Sequence, residues 1–279
     1  MSSVRWAFCT SKWNPTRSEW LFALSCIQSE ERERVLSFVF RRDAKSALVG
    51  RLLMRKVLSE SFVLSNSEIK LGRTGNGKPY VINAKDNFYF NVSHQGDYVV
   101  LAGEKHCNVG VDIMKTELKG NQTLDEFFHS MRRQFSCNEW QTIQDRSSEE
   151  EKLEMFMRYW CLKESYVKAL GVGLGLLKKL RTIDFHIDKE FPRLAIQTVT
   201  KNTKLFLNDS LSEEWCFEES KLDENHLVAV ALQRNDVSFK KNENNIFQFL
   251  TMNDLTSSLS PLMTVEESLW SKFAAKINS

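Results

Sequence analysis

What the chain lacks narrows its class first. No charge is in excess: Lys and Arg total 38 against 36 Asp and Glu, a net +2. Bulk electrostatics therefore favour neither nucleic acid nor a membrane surface, and any anion binding must come from local clustering. The six cysteines, at 9, 26, 107, 137, 161 and 216, contain no C-x-x-C spacing. They form no disulfide framework in a chain of this size, and scattered thiols suit a reducing compartment. Cys/His metal spacing is missing too, which argues against a zinc site. Apolar runs such as Leu227–Leu232 are far too short to span a bilayer, and Met1–Ala7 lacks the apolar stretch of a signal peptide. A soluble cytosolic protein is expected. There is no Gly-x-Ser-x-Gly elbow of a serine hydrolase. Nor is there a Walker A loop: Pro79 follows Lys78 where that motif needs Ser or Thr.

What is present supports a folded enzyme-sized protein. The chain has 279 residues, 42% hydrophobic and 27% charged, enough for a real core in two domains or one large one. Val4–Cys9 reads as a strand, and Thr16-x-x-Glu19 is a capping box opening a helix to about Ile27. Helices follow over Glu30–Phe38 and from Asp43 to about Phe62. After the turn-rich loop Arg73–Pro79, a three-strand meander is expected: Phe88–His94, Tyr98–Gly103 and Val109–Met114. Thr123-x-x-Glu126, Ser136-x-x-Glu139 and Ser148-x-x-Glu151 cap three more helices, the last ending near Gly171. Strands are expected over Arg181–Ile187, Arg193–Val199, Lys204–Leu207, Trp215–Glu219 and Leu227–Gln233. Helices followed by strands thus occur twice, which suggests an α+β fold of two similar lobes meeting near residue 115. The expected division is 1–114, 115–234, and a polar linker with a weakly helical tail over 235–279.

Two distant segments carry the chemistry. In Val109–Met114, alternation puts Gly110, Asp112 and Met114 on one face, opposite Val109, Val111 and Ile113. Asp112 then sits beside a glycine that leaves room for a ligand. On the 148–171 helix, Trp160, Glu164 and Lys168 form one stripe, while Tyr159, Leu162, Tyr166 and Leu170 form another that should pack inward. Taken alone, Asp112 is an exposed strand-end acid, and Glu164–Lys168 is a surface i,i+4 pair worth roughly 0.2–0.5 kcal/mol. Together they offer two carboxylates and a cation, the set a divalent metal and a transferring phosphate require. The glycine-rich run Gly171–Gly175 just after the helix adds to that reading. The Gly75–Lys78 loop could cradle phosphate, with charge from Arg73 and Lys78, or could be a simple turn. His94 closes Asn91-Val92-Ser93-His94, as a structural residue or as a phosphate donor. Asp125–Phe135 mixes Phe127, Phe128 and Met131 with Arg132 and Arg133. It reads either as a docking face for an acidic helix or as a core helix with solvated arginines.

These motifs, in this order, resemble the 4'-phosphopantetheinyl transferases. That family's signature is Gly-[Ile/Val]-Asp followed by Trp-x-x-Lys-Glu-[Ser/Ala]-x-x-Lys. Here it is matched by Gly110–Asp112 and Trp160–Lys168, with Asn91–His94 and the Arg73–Pro79 loop also in place. The likeness runs from about Trp6 to the region of Trp270, and is strongest to the broad-specificity, two-lobed cytosolic members. It implies a pseudo-twofold pair of α+β lobes with the site in the cleft between them. It implies coenzyme A as donor, Mg²⁺ as metal, and a serine hydroxyl of an acyl or peptidyl carrier protein as acceptor, with adenosine 3',5'-bisphosphate released. Carriers of the fatty-acid-synthase and aminoadipate-semialdehyde-dehydrogenase types, and a monomeric state, are further expectations. The resemblance makes Asp112 and Glu164 metal ligands, and Glu164, Lys168 and His94 catalytic. Its coenzyme A contacts are Arg34, Arg73, Thr74, Gly75, Asn76, Gly77, Lys78, Asn91, Val92, Ser93 and His94, with Asp112, Glu164 and Lys168. Met114 departs from the second acid many bacterial members carry. A thioether is a poor ligand for a hard cation, so water or substrate oxygen should fill that position. A non-catalytic coenzyme A binder and a Mg²⁺-dependent nucleotide phosphotransferase are the competing readings.

Overall fold

In the computed structural model, residues 3–82, 88–118, 120–172, 180–188, 193–234 and 245–278 are described. In chain order the elements are β1 (Ser3–Cys9), α1 (Arg17–Ser25), α2 (Ser29–Ser37), α3 (Arg41–Phe62), β2 (Leu71–Arg73), β3 (Pro79–Val81), β4 (Tyr89–Gln95) and β5 (Tyr98–Glu104). There follow β6 (Val109–Lys115), α4 (Leu124–Met131), a 3₁₀ turn (Arg132–Gln134), α5 (Cys137–Gln144) and α6 (Glu149–Leu170). The chain continues with β7 (Ile183–His186), β8 (Lys204–Leu207), β9 (Ser210–Leu211), β10 (Trp215–Asp223), β11 (His226–Gln233), β12 (Gln248–Phe249), α7 (Met252–Thr256) and α8 (Ser268–Ala274). Three expected caps form as full capping boxes: Thr16 with Glu19, Thr123 with Glu126, and Ser136 with Glu139. Ser148 accepts from the Glu151 amide at the start of α6, and Gly171 ends that helix at φ 69°, a left-handed conformation that glycine adopts without steric cost.

The chain divides into two compact units. The first comprises residues 1–74, 79–105 and 247–279. Its sheet has the order β12-β1-β5-β4. β1 runs antiparallel to β5 from Ser3↔Glu104 to Cys9↔Tyr98, and β4 and β5 form a hairpin turning at Gly96. α3 covers the sheet because its apolar positions Ala44, Ala47, Leu48 and Leu52 recur at helical period, and all are buried. Trp20, also fully buried, stacks on Phe273 with ring centroids 3.8 Å apart.

The second unit comprises residues 75–78 and 106–246. It holds the sheet β10-β11-β6 and a smaller sheet β7-β8-β9. α6 lies against β6 and β11, with Phe156, Leu162, Phe185 and Phe217 in the core. Each unit is therefore α+β. Among the described residues, no helix is long and apolar enough to cross a membrane.

Three expectations need correction. The 88–114 meander stops at two strands: β6 pairs antiparallel with β11, Asp112 opposite Ala229, and not with β5. Arg193–Val199 forms no strand. Gln197 takes φ 53° there, which a continuing strand cannot accommodate, and only isolated bridges at Ile196 and Thr200 remain. The tail is structural: β12, α7 and α8 complete the core of the first unit. Packing thus groups β6 with the residues after it, and 247–279 with the first unit, where the sequence reading drew lines at 114 and 235.

Candidate active site on β6 and α6

The approach of α6 to β6 is built from small residues. Cys161, Ser165 and Ala169 recur every fourth position, and all three are buried. Facing them is Gly110, where an added Cβ would fall 2.1 Å from the Ser165 carbonyl oxygen and 2.3 Å from the Ala169 nitrogen. The space left over Gly110 is therefore filled by the backbone of α6 rather than by a ligand. The Cys161 thiol, 3.2 Å from the Asp112 carbonyl oxygen, donates to it. This stripe of small residues escaped the sequence reading. Its signal, small side chains at i, i+4 and i+8 opposite a glycine, was present.

With helix and strand this close, the two expected segments meet. Asp112 is buried, and Lys168 Nζ donates to its Oδ1 at 2.5 Å. The other carboxylate oxygen, Oδ2, is also buried and lies outside that pair. Lys168 thus reaches across to the strand, a different arrangement from a surface pair along its own helix. Glu164 is half-buried one turn before Lys168. Burial raises its carboxyl above the ordinary value, the like charge of Asp112 raises it further, and Lys168 opposes both. As expected, Tyr159, Leu162 and Tyr166 of the neighbouring stripe are buried, while Leu170 at the helix end is 38% exposed.

α6 is anchored from behind by charge pairs. Lys163, wholly buried, pairs with Glu139 at 2.8 Å and donates to the carbonyls of Leu180 and Ile183. Glu139 also accepts from the amides of Ser136 and Phe185. Arg158 makes a two-pronged contact with Glu219, at 2.7 and 3.0 Å. These contacts fix the rotation of α6 that presents Glu164 and Lys168.

Among the described residues, no group of three or more His, Cys, Asp or Glu side chains gathers as a metal site. The candidate donor set is the carboxylate pair of Asp112 and Glu164. Two hard oxygen donors, whose mutual repulsion a cation would relieve, suit Mg²⁺, which keeps several waters and needs few protein ligands. Met114 is half-buried near the end of the same strand.

The loop preceding β3 lies against the end of α6. Lys78 Nζ donates to the carbonyls of Lys168 and Ala169, both at 3.2 Å, and Asn76 Nδ2 donates to the Gly171 carbonyl at 3.1 Å. Burial lowers the Lys78 ammonium. Gly77 is held at φ 81°, which favours glycine, and Gly75 is exposed. Of the glycine-rich run after α6, Gly173 to Gly175 lie outside the described residues.

The remaining predicted contacts belong to the first unit. Arg34 on α2 and Arg73 at the end of β2 are exposed and close enough to repel electrostatically, while Thr74 follows in the loop. Asn91 and Ser93 on β4 are buried, Val92 packs towards Gly50 of α3, and His94 is exposed opposite Val99. In α4 and the turn after it, Leu124, Phe128 and Phe135 are core residues, whereas Arg132 and Arg133 are exposed.

Comparison with known proteins identifies the family. Residues 11–106 match the family pattern "4'-phosphopantetheinyl transferase, N-terminal", and residues 108–231 match "4'-phosphopantetheinyl transferase superfamily". The chain belongs to the 4'-phosphopantetheinyl transferase superfamily, and it is a transferase. Among individual proteins, it is 46% identical to the human L-aminoadipate-semialdehyde dehydrogenase-phosphopantetheinyl transferase over 98% of this chain and 91% of that one. The Xenopus laevis protein of the same name is 43% identical over 99% and 93%. The Bacillus subtilis 4'-phosphopantetheinyl transferase Sfp is 30% identical over 59% of this chain and 69% of its own length.

Proposed function

We propose that this protein moves the 4'-phosphopantetheine arm of coenzyme A to a serine hydroxyl of acyl and peptidyl carrier domains, releasing adenosine 3',5'-bisphosphate. The observation that carries the reading is Lys168 on Asp112 at 2.5 Å, with Glu164 one helical turn away. A phosphoryl transfer asks its protein mainly for positioning and charge stabilisation. Asp112 and Glu164 would hold Mg²⁺, which when bound offsets negative charge developing at the attacked phosphorus. Lys168 neutralises or protonates the departing phosphate. Glu164, with its carboxyl already raised by burial and Asp112, takes the serine proton directly or through water. Lys78 and the 73–77 loop, Arg34, and Asn91 to His94 hold the nucleotide and diphosphate.

The carriers we expect are those of the fatty-acid-synthase and aminoadipate-semialdehyde-dehydrogenase types, and we expect a cytosolic monomer. The human relative's name supports the second carrier type. The test is to incubate the protein with coenzyme A, Mg²⁺ and an apo carrier, then weigh the carrier. A mass gain of one phosphopantetheine is expected from the native chain and almost none from Glu164→Gln. Binding of coenzyme A with no mass gain would point instead to an inert binder. Normal turnover by Glu164→Gln would remove both roles given to that residue.

A further inference from the structure

Residues 75–78 belong to the second unit, and their side chains meet the end of α6. A helix leaves its last four carbonyls without partners inside the helix. In α6 these are the carbonyls of Val167 to Leu170. Val167 accepts from the Gly171 amide at 3.0 Å. The next two, Lys168 and Ala169, accept from one ammonium, Lys78 Nζ, at 3.2 Å each. Just past the helix, the Gly171 carbonyl accepts from Asn76 Nδ2 at 3.1 Å. The loop therefore caps the helix from outside.

Gly171 makes this approach possible. A Cβ added there would lie 3.3 Å from Lys78 Cδ. The Lys78 stem thus runs over the bare Cα of the helix-ending glycine before its head reaches the carbonyls. A cation in that position also meets the negative end of the helix dipole. The capped turn is the one that carries Lys168, whose Nζ donates to Asp112 Oδ1, and Ala169, whose backbone lies over Gly110. Lys168 is held at both ends: its ammonium on the Asp112 carboxylate, its carbonyl on the Lys78 ammonium.

We propose that Lys78, with Asn76, is a positioning residue for the transfer: it caps α6 and so keeps the Lys168 ammonium in register with Asp112. This rests on the reading that Lys168 serves the departing phosphate, and it adds to the part given to Lys78 in holding the nucleotide. The two parts separate in kinetics. Holding a ligand equally well before and in the transition state shows in KM, whereas placing Lys168 shows in kcat.

The test has two readouts on the full chain, for the native protein, Asn76→Ala, Lys78→Met and Lys78→Arg. The first is amide hydrogen exchange, which needs no carrier. Amides over 166–171 should exchange roughly tenfold faster in Lys78→Met and somewhat faster in Asn76→Ala, while those over 152–156 keep the native rate. The second is carrier modification at varied coenzyme A. Here kcat should fall roughly tenfold or more in Lys78→Met and by a smaller factor in Asn76→Ala, with Lys78→Arg, which keeps the cation, nearer the native value. In a Lys168→Ala background, Lys78→Met should cost little more, because its effect passes through Lys168. Native exchange at the end of α6 in both Asn76→Ala and Lys78→Met would overturn the cap. Faster exchange with native kcat, or a full tenfold loss still seen without Lys168, would overturn the positioning role. Should Lys78→Met not fold, the exposed Asn76 decides both readouts. A native chain that modifies no carrier would remove the transferase reading and the positioning role with it, whereas the exchange result would still decide the cap.

Discussion

Gly110 sets the distance between β6 and α6. A methyl group there meets backbone atoms of Ser165 and Ala169, which cannot rotate away as a side chain can. Gly110→Ala should therefore push α6 off β6. Overpacking costs about 1–3 kcal/mol, and moving Lys168 by about 1 Å from Asp112 should cost about a hundredfold in turnover. Thermal melting and carrier-modification rates read the two effects separately. A variant with native rate and melting temperature would show that the contact has slack. Glu164 yields a second prediction. Its raised carboxyl means that, without metal, the folded state holds a proton the unfolded chain releases sooner. Stability therefore falls as pH rises from the unfolded value through the folded one, and levels off above it. Under the proposed ligand assignment Mg²⁺ competes with that proton, so its stabilising effect should be larger at about pH 8 than at about pH 5. The difference should vanish in Glu164→Gln; a Mg²⁺ melting shift that is the same at both pH values would contradict the ligand assignment.

At the scale of elements, α6 depends on what holds its back. Burial lowers the Lys163 ammonium and raises the Glu139 carboxyl, each opposed by the partner's charge. Removing one partner leaves the other charge buried alone, so Lys163→Met should destabilise the protein by about 3–5 kcal/mol in urea unfolding. The double variant Lys163→Met/Glu139→Gln should recover much of that loss. If the single change costs no more than a surface substitution, the pair does not fix α6. What could be read beforehand followed from locality. The Thr16, Thr123 and Ser136 boxes and the Gly171 stop are written within a few residues, and each formed. The Asp112, Glu164 and Lys168 grouping could be read because helix and strand periodicities place the three side chains on definite faces. The sheet partner of β6 could not, because Val109–Met114 alternates equally well against β5 or β11 and only long-range packing decides. The approach of Arg51 on α3 to Glu31 on α2, 4.0 Å from Nε to Oε1, was hidden by the same limit: it depends on how α2 crosses α3.

At the scale of the whole molecule, the last 33 residues show how much of the first unit is assembled from far along the chain. Leu250 donates to the Ala7 carbonyl, β12 extends the sheet beside β1, and Phe273 stacks on Trp20. The Ser260 carbonyl accepts from Asn66 Nδ2 at 2.6 Å, and Asn66 Oδ1 in turn accepts from the buried Arg55 of α3 at 2.8 Å. Sequence periodicity missed this because the tail's buried residues, Phe247, Leu250, Leu255, Leu259 and Phe273, are spread over short segments and follow no single repeat. Fully burying one large apolar side chain contributes about 1.5–3 kcal/mol, so several together are comparable with the total stability of a domain. A chain ending at residue 246 should therefore lose the cooperative melt of the first unit and expose Trp20, seen as a red-shifted tryptophan emission. The milder Phe273→Ala should cost about 3–5 kcal/mol, read in urea unfolding. Native melting and emission from the truncated chain would mean that the first unit closes its core without the tail.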